Sequence, residues 1–300
     1  MVSRIEAFEA SLHGSQRAQS LLLRRYGVPP TEANLAVLTR YAVRVRRARW
    51  WGVVGVLVAA GVGWLGPSQD AAGWYLARLF AGYLVGSGIA EFAAPAMQRS
   101  GPTHVASLTT RAAGSFLPWW ARTLPWLCLV PCLAAPVLFV GEHPVGITRL
   151  QDRRGSVLAT AAWFSPSVLI GTAMFALAGL VVWRVTMHAL AVRALPLDRT
   201  DQARVELLTR ALSARAVCGT AAALGLSLLG GLAYLSARAL MSRVCTTVAD
   251  CGYAYAWHDR HNLFESIGAL MVLAAILLFW FSRLPRVDQE LLRVTVPASP

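Results

Sequence analysis

Apolar runs separated by short Arg-rich segments set the pattern of this chain. Lipid offers unsatisfied backbone groups no partner, so a bilayer core of about 30 Å is crossed by roughly 20 apolar residues in a helix. Six runs approach or exceed that length: Trp50 to Leu65, Ala71 to Ala94, Leu117 to Val140, Ser165 to Trp183, Ala216 to Leu235 and Asn262 to Phe281. The expected fold class is all-α, a polytopic transmembrane helix bundle of six spans. The first run is short and borrows a turn from the Arg-rich segment before it. The fifth closes at Leu235 because Ser236 and Arg238 follow. Residues 1–49 then form a cytoplasmic N-terminal helical segment, 50–281 the six-span domain and 282–300 a cytoplasmic tail.

Arg distribution supplies the orientation. With the N-terminus inside, cytoplasmic segments hold 20 Arg and external segments six, leaving Arg78 and Arg122 within spans. By the positive-inside rule both termini are expected in the cytoplasm and the chain in the plasma membrane. Trp50, Trp51, Trp64, Trp74, Trp119, Trp120 and Trp280 lie near the proposed span ends, where an amphipathic indole sits among headgroups.

Composition agrees. Of 300 residues, 56% are hydrophobic and 14% charged, too apolar for an ordinary soluble surface. The first 20 residues lack an apolar core with a small-residue cleavage site, so the first span is expected to direct insertion. All 28 basic residues are Arg, and the net charge of +13 reads as topogenic flanks. No zinc-knuckle spacing or RNA-binding aromatic motif points to nucleic acid.

Outside the spans, Gly27-Val28-Pro29-Pro30 breaks the N-terminal segment into two helices, with Thr31 capping a second helix that runs toward the first span. Ile5, Phe8, Leu12 and Leu21 to Leu23 give the first helix an apolar stripe. Arg44, Arg46, Arg47 and Arg49 crowd the membrane end of the segment. Ordinary packing, docking to a cytoplasmic partner and contact with anionic lipid all fit this pattern. In residues 184–215, Asp198, Asp201 and Glu206 lie among Arg residues, and Thr200 or Asp201 is positioned to cap a helix through Arg215. A faint echo of Leu-Thr-Arg precedes the odd-numbered spans at Leu38, Leu108 and Leu208.

Charges inside a membrane are costly, which makes Arg78, Glu91, Arg122 and Glu265 candidate functional groups, either holding the bundle or lining a polar path. Arg78 and Glu91 are about 20 Å apart along one helix and cannot pair there. Gly82, Gly86 and Ala90 recur at four-residue spacing and allow another helix close to the backbone of span two, which is expected to be central. Pro125, Pro131 and Pro136 are expected to kink or break span three. Cys245 and Cys251 fall in the external loop before span six and are read as a disulfide, with free thiols or metal ligation as alternatives. Just beyond, His258, His261 and Glu265 share a helical face at i, i+3, i+7. Zinc accepts imidazole and carboxylate, and three protein ligands leave a position for water. The cluster is not the His-Glu-x-x-His signature, and a polar span mouth explains the same residues.

The segment Gly82-Tyr83-Leu84-Val85-Gly86-Ser87-Gly88-Ile89-Ala90-Glu91, followed by Leu108 to Arg111 and Phe116-Leu117-Pro118, resembles Arg-rich actinobacterial integral membrane proteins. The resemblance covers a small part of the chain. It implies six helices and a plasma-membrane address, with no activity and no catalytic residue attached.

The leading expectation is a non-catalytic membrane subunit or permease-like component of a transport or export system, with no cofactor of its own. A partner ATPase is required for that role, because the chain has no Gly-x-x-x-x-Gly-Lys-Ser/Thr loop and no Lys. The alternatives are a zinc-dependent hydrolase with its site on the outer side, and a scaffold or regulator binding another membrane protein.

Overall fold

A computed structural model describes residues 16–64, 72–93, 117–140, 148–151, 157–161, 166–192, 200–244 and 254–283. Helices dominate them: α1 (Gln16–Arg25), α2 (Glu32–Trp64), α3 (Ala72–Ala93), α4 (Trp119–Val140), α5 (Pro166–Val192), α6 (Thr200–Val244) and α7 (Ala254–Phe281). Between α4 and α5 a small antiparallel hairpin pairs β1 (Thr148–Gln151) with β2 (Val157–Ala161), slipping in register between Leu150 and Gln151. That hairpin is the departure from an all-helical chain.

Three of the described helices are long and apolar enough to cross a membrane, over Val168–Ala191, Asp201–Ser236 and Asn262–Phe281; Tyr75–Ala90 is a shorter apolar helical stretch. Trp50, Leu57, Leu127, Met174, Leu270 and Trp280 project outward at 64–67% exposure. Apolar area on this scale has no place facing water, and suits a chain whose solvent is lipid. Among its described side chains α6 contributes no large exposed apolar one, and Ala221 to Leu224 and Leu228 on it are wholly buried.

The bundle is therefore built around α6, which touches α2, α3, α4, α5, α7 and the second strand. Span two, expected to be central, instead packs mainly on α2 and, beyond it, against α6 and α5. Helices that are apolar on every face carry no stripe to say which of them is innermost, and small residues on α6 decide the matter. An added Cβ at Gly225 would stand 2.6 Å from Cys128 on α4, and one at Gly230 would stand 2.9 Å from the Gly268 carbonyl oxygen on α7. Between α2 and α3 the approach is closer still. A Cβ at Gly82 would overlap the Gly55 carbonyl oxygen, and one at Gly86 that of Trp51.

Local chemistry sets the ends. Gly27 takes the left-handed conformation, φ 69°, that closes α1, and Pro29 and Pro30 prevent its continuation. Thr31 Oγ1 accepts the Asn34 amide at 3.4 Å, capping α2, while the buried Asn34 side chain donates to the Pro29 carbonyl oxygen at 2.9 Å. Removing the cap with Thr31→Ala is expected to cost about 0.5–1 kcal/mol. Thermal unfolding of the purified protein should show a fall in Tm of about 2 °C. Pro125, Pro131 and Pro136 all lie inside α4, which continues through them from Trp119 to Val140.

Both α2 and α6 continue past the bundle as single helices. The 45 residues of α6 extend about 67 Å at 1.5 Å per residue. Its first turns join a second apolar cluster, in which Val205 packs with Leu23, Val28, Val37 and Leu38, and Leu208 and Leu212 pack with Tyr41. The boundary expected near Ala216 is thus not a helix end.

Candidate functional site

The structure distributes the candidate charges rather than gathering them. Arg78 is half-buried on α3, Arg122 is exposed on α4 and Glu265 is half-buried on α7. Phe80 packs against Phe279 with ring centroids 5.1 Å apart. This contact sets the register of α3 against α7 and leaves Glu265 about 21 Å further along α7 at 1.5 Å per residue. Arg78 and Glu265 consequently stand at different heights. Glu91 lies on α3, with its side chain outside the described residues.

Gly82, Gly86 and Ala90 are positioned on α3, and the two glycines are filled from within the chain by the α2 backbone. That surface of span two is not available to another protein. Cys245 and Cys251 lie outside the described residues. The first turns of α7 carry His258 and His261, whose side chains also lie outside them; among the described residues no group of three or more His, Cys, Asp or Glu stands together. The other cysteines, Cys128, Cys132 and Cys218, are buried and free. The Trp183 indole donates to Cys218 Sγ at 3.3 Å, and Cys132 Sγ donates to the Cys128 carbonyl oxygen at 3.4 Å, so these thiols serve packing.

Polar groups converge elsewhere, where the end of α7 meets α2, α3 and α6. A cavity of about 70 Å³ is lined there by Tyr41, Arg49, Tyr83, Ser87, Ser213, Thr220 and Arg283, among others. Two contacts build it. Gly219 leaves room on α6 for Ser282, where a Cβ would overlap that side chain, and the Ser282 amide donates to the Leu278 carbonyl oxygen at 2.9 Å. Residue 283 is thereby turned toward α6 instead of outward.

The Arg283 guanidinium donates to Thr220 Oγ1 at 3.1 Å and to the Phe279 carbonyl oxygen. Its carbon lies 4.9 Å from the centre of the Tyr83 ring and 3.4 Å from that of Phe279. Aromatic faces attract a cation and offset part of its lost hydration. Burial pulls the Arg283 guanidinium below its ordinary pKa and the charge of Arg49 adds to this, while Tyr83 opposes both. Among the described residues no carboxylate forms an ion pair with Arg283 or lines the cavity; Asp201 and Glu206 on α6 pair with Arg204 and Arg210 instead. The site can accommodate an anion, and its lining holds hydroxyl and guanidinium groups without a carboxylate, imidazole or thiol.

Sequence reasoning placed Arg283 and Arg49 among topogenic charges. Only the helix register brings them together. Comparison with protein-family models, with curated proteins and with solved structures finds no match for the chain.

Proposed function

We propose that this chain is a six-span plasma-membrane protein with both termini in the cytoplasm, serving as the non-catalytic membrane subunit of a transport or export system. The observation that supports this reading is the continuity of α6. Its first turns belong to the cluster with α1 and α2, and its later turns form the centre of the bundle. A force applied to the outer cluster reaches the bundle through an uninterrupted helix, with no intervening loop to absorb it. Such a tie is useful to a subunit that receives work from a cytoplasmic ATPase and has no nucleotide site of its own.

The test is purification of the tagged chain from its native membrane in mild detergent, with co-purifying proteins identified by mass spectrometry. An ATPase in stoichiometric amount is the expected result. A different membrane protein in its place would favour a scaffold, and a chain recovered alone would overturn the subunit reading. The zinc hydrolase alternative requires about one bound zinc per chain, lost in His258→Ala and His261→Ala.

A further inference from the structure

We propose that the cavity between α2, α3, α6 and the end of α7 binds a phosphate group, held by Arg49 and Arg283 with the Tyr83, Ser87, Ser213 and Thr220 hydroxyls around it. The argument begins with charge. Two guanidiniums line one small space, and each raises the electrostatic cost of the other. A buried cation is stable when paired, and the aromatic faces of Tyr83 and Phe279 supply only part of what a counter-charge would. An oxyanion between Arg49 and Arg283 neutralises both and accepts from guanidinium forks whose geometry suits phosphate.

The space of about 70 Å³ is large enough for a tetrahedral oxyanion such as phosphate.

Position suggests where the phosphate comes from. Arg46 and Arg47 are exposed on α2, and Trp50 and Trp51 follow them at 67% and 48% exposure. Outward Arg beside outward Trp marks the headgroup level of a bilayer, and Arg49 belongs to the same turn. A phospholipid phosphate and free inorganic phosphate present the same chemistry to the cavity. The lipid source rests on the membrane reading above, whereas the soluble source does not.

The full-length protein is delipidated in a maltoside detergent, which carries no phosphate, and Tm is followed in two arms. One adds phosphatidylglycerol to the micelles, and the other adds inorganic phosphate against chloride at matched ionic strength. A saturable rise in Tm is expected in at least one arm. A rise only with phosphatidylglycerol assigns the lipid headgroup, and a rise with inorganic phosphate in detergent alone assigns the soluble anion. In Arg283→Gln the apparent affinity is expected to fall about ten-fold or more, as for a lost hydrogen bond to a charged group. Arg49→Gln, at a half-buried position, should do the same if the first variant fails to fold. Arg24→Gln, exposed on α1, should leave affinity unchanged. No rise in either arm, or a rise undiminished in both cavity variants, overturns the proposal, while the co-purification result stands or falls on its own.

Discussion

Gly86→Leu is expected to separate α2 from α3 and to lower Tm by about 6 °C or more. Even a Cβ at this position would overlap the Trp51 carbonyl oxygen, and beyond it stand the Trp51 carbonyl carbon at 2.7 Å and the Gly52 amide nitrogen at 3.1 Å. All of these obstacles are backbone, so no side-chain rotamer relieves them. Overpacking in a close-packed interior costs about 1–3 kcal/mol where side chains can shift, and the larger side chain here must move a helix. A loss of about 3 kcal/mol corresponds to about 6–12 °C for a domain of this size class. Gly86→Ala should give a smaller fall in the same direction, and Gly88→Ala a smaller one still, because its added Cβ would meet Val182 and Thr186 side chains at 3.1 Å. Thermal unfolding in detergent measures all three. A Gly86→Leu protein melting with the wild type would mean that α2 and α3 are not packed at Trp51.

This interface also shows what a sequence can and cannot convey about such a bundle. Small residues at four-residue spacing announce a close helix contact, but not its partner. Gly52 and Gly55 on α2 stand three positions apart and read as ordinary members of an apolar run. The break between α1 and α2 is legible because Gly27, Pro29 and Pro30 act through local backbone geometry. The central place of α6 is not, because its innermost residues Ala221, Ala222 and Ala223 differ little in hydrophobicity from lipid-facing alanines elsewhere. Burial there follows from the neighbours rather than from residue type. Arg283 is the sharpest case. At the end of an apolar run an Arg reads as a topogenic flank, and only Gly219 against Ser282 turns it into a cavity wall. The hairpin of β1 and β2 escaped notice for a different reason, since two strands of four and five residues are too short to leave a periodic signal.

Breaking α6 where it passes from the outer cluster into the bundle should have the largest consequence for the proposed role. Ala214 is wholly buried, two residues beyond Leu212 of the outer cluster and three before Val217 of the main core. Proline there removes the hydrogen bond to the carbonyl of residue 210 and drives its ring against that carbonyl, at a cost of about 3 kcal/mol or more. Ala214→Gly keeps the amide and should cost about 1 kcal/mol. The two variants therefore separate helix continuity from the loss of a methyl group. Spin labels at Arg24 on α1 and Leu177 on α5, both exposed, report the distance between cluster and bundle by pulsed electron resonance. The wild type and Ala214→Gly are expected to give a narrow distribution, and Ala214→Pro a broad or shifted one together with reduced capture of the ATPase. The alternative outcome is as informative. A narrow distribution in a folded Ala214→Pro protein would place the mechanical tie in α2, which also runs unbroken from the cluster to the bundle, and would remove α6 as the element that couples them.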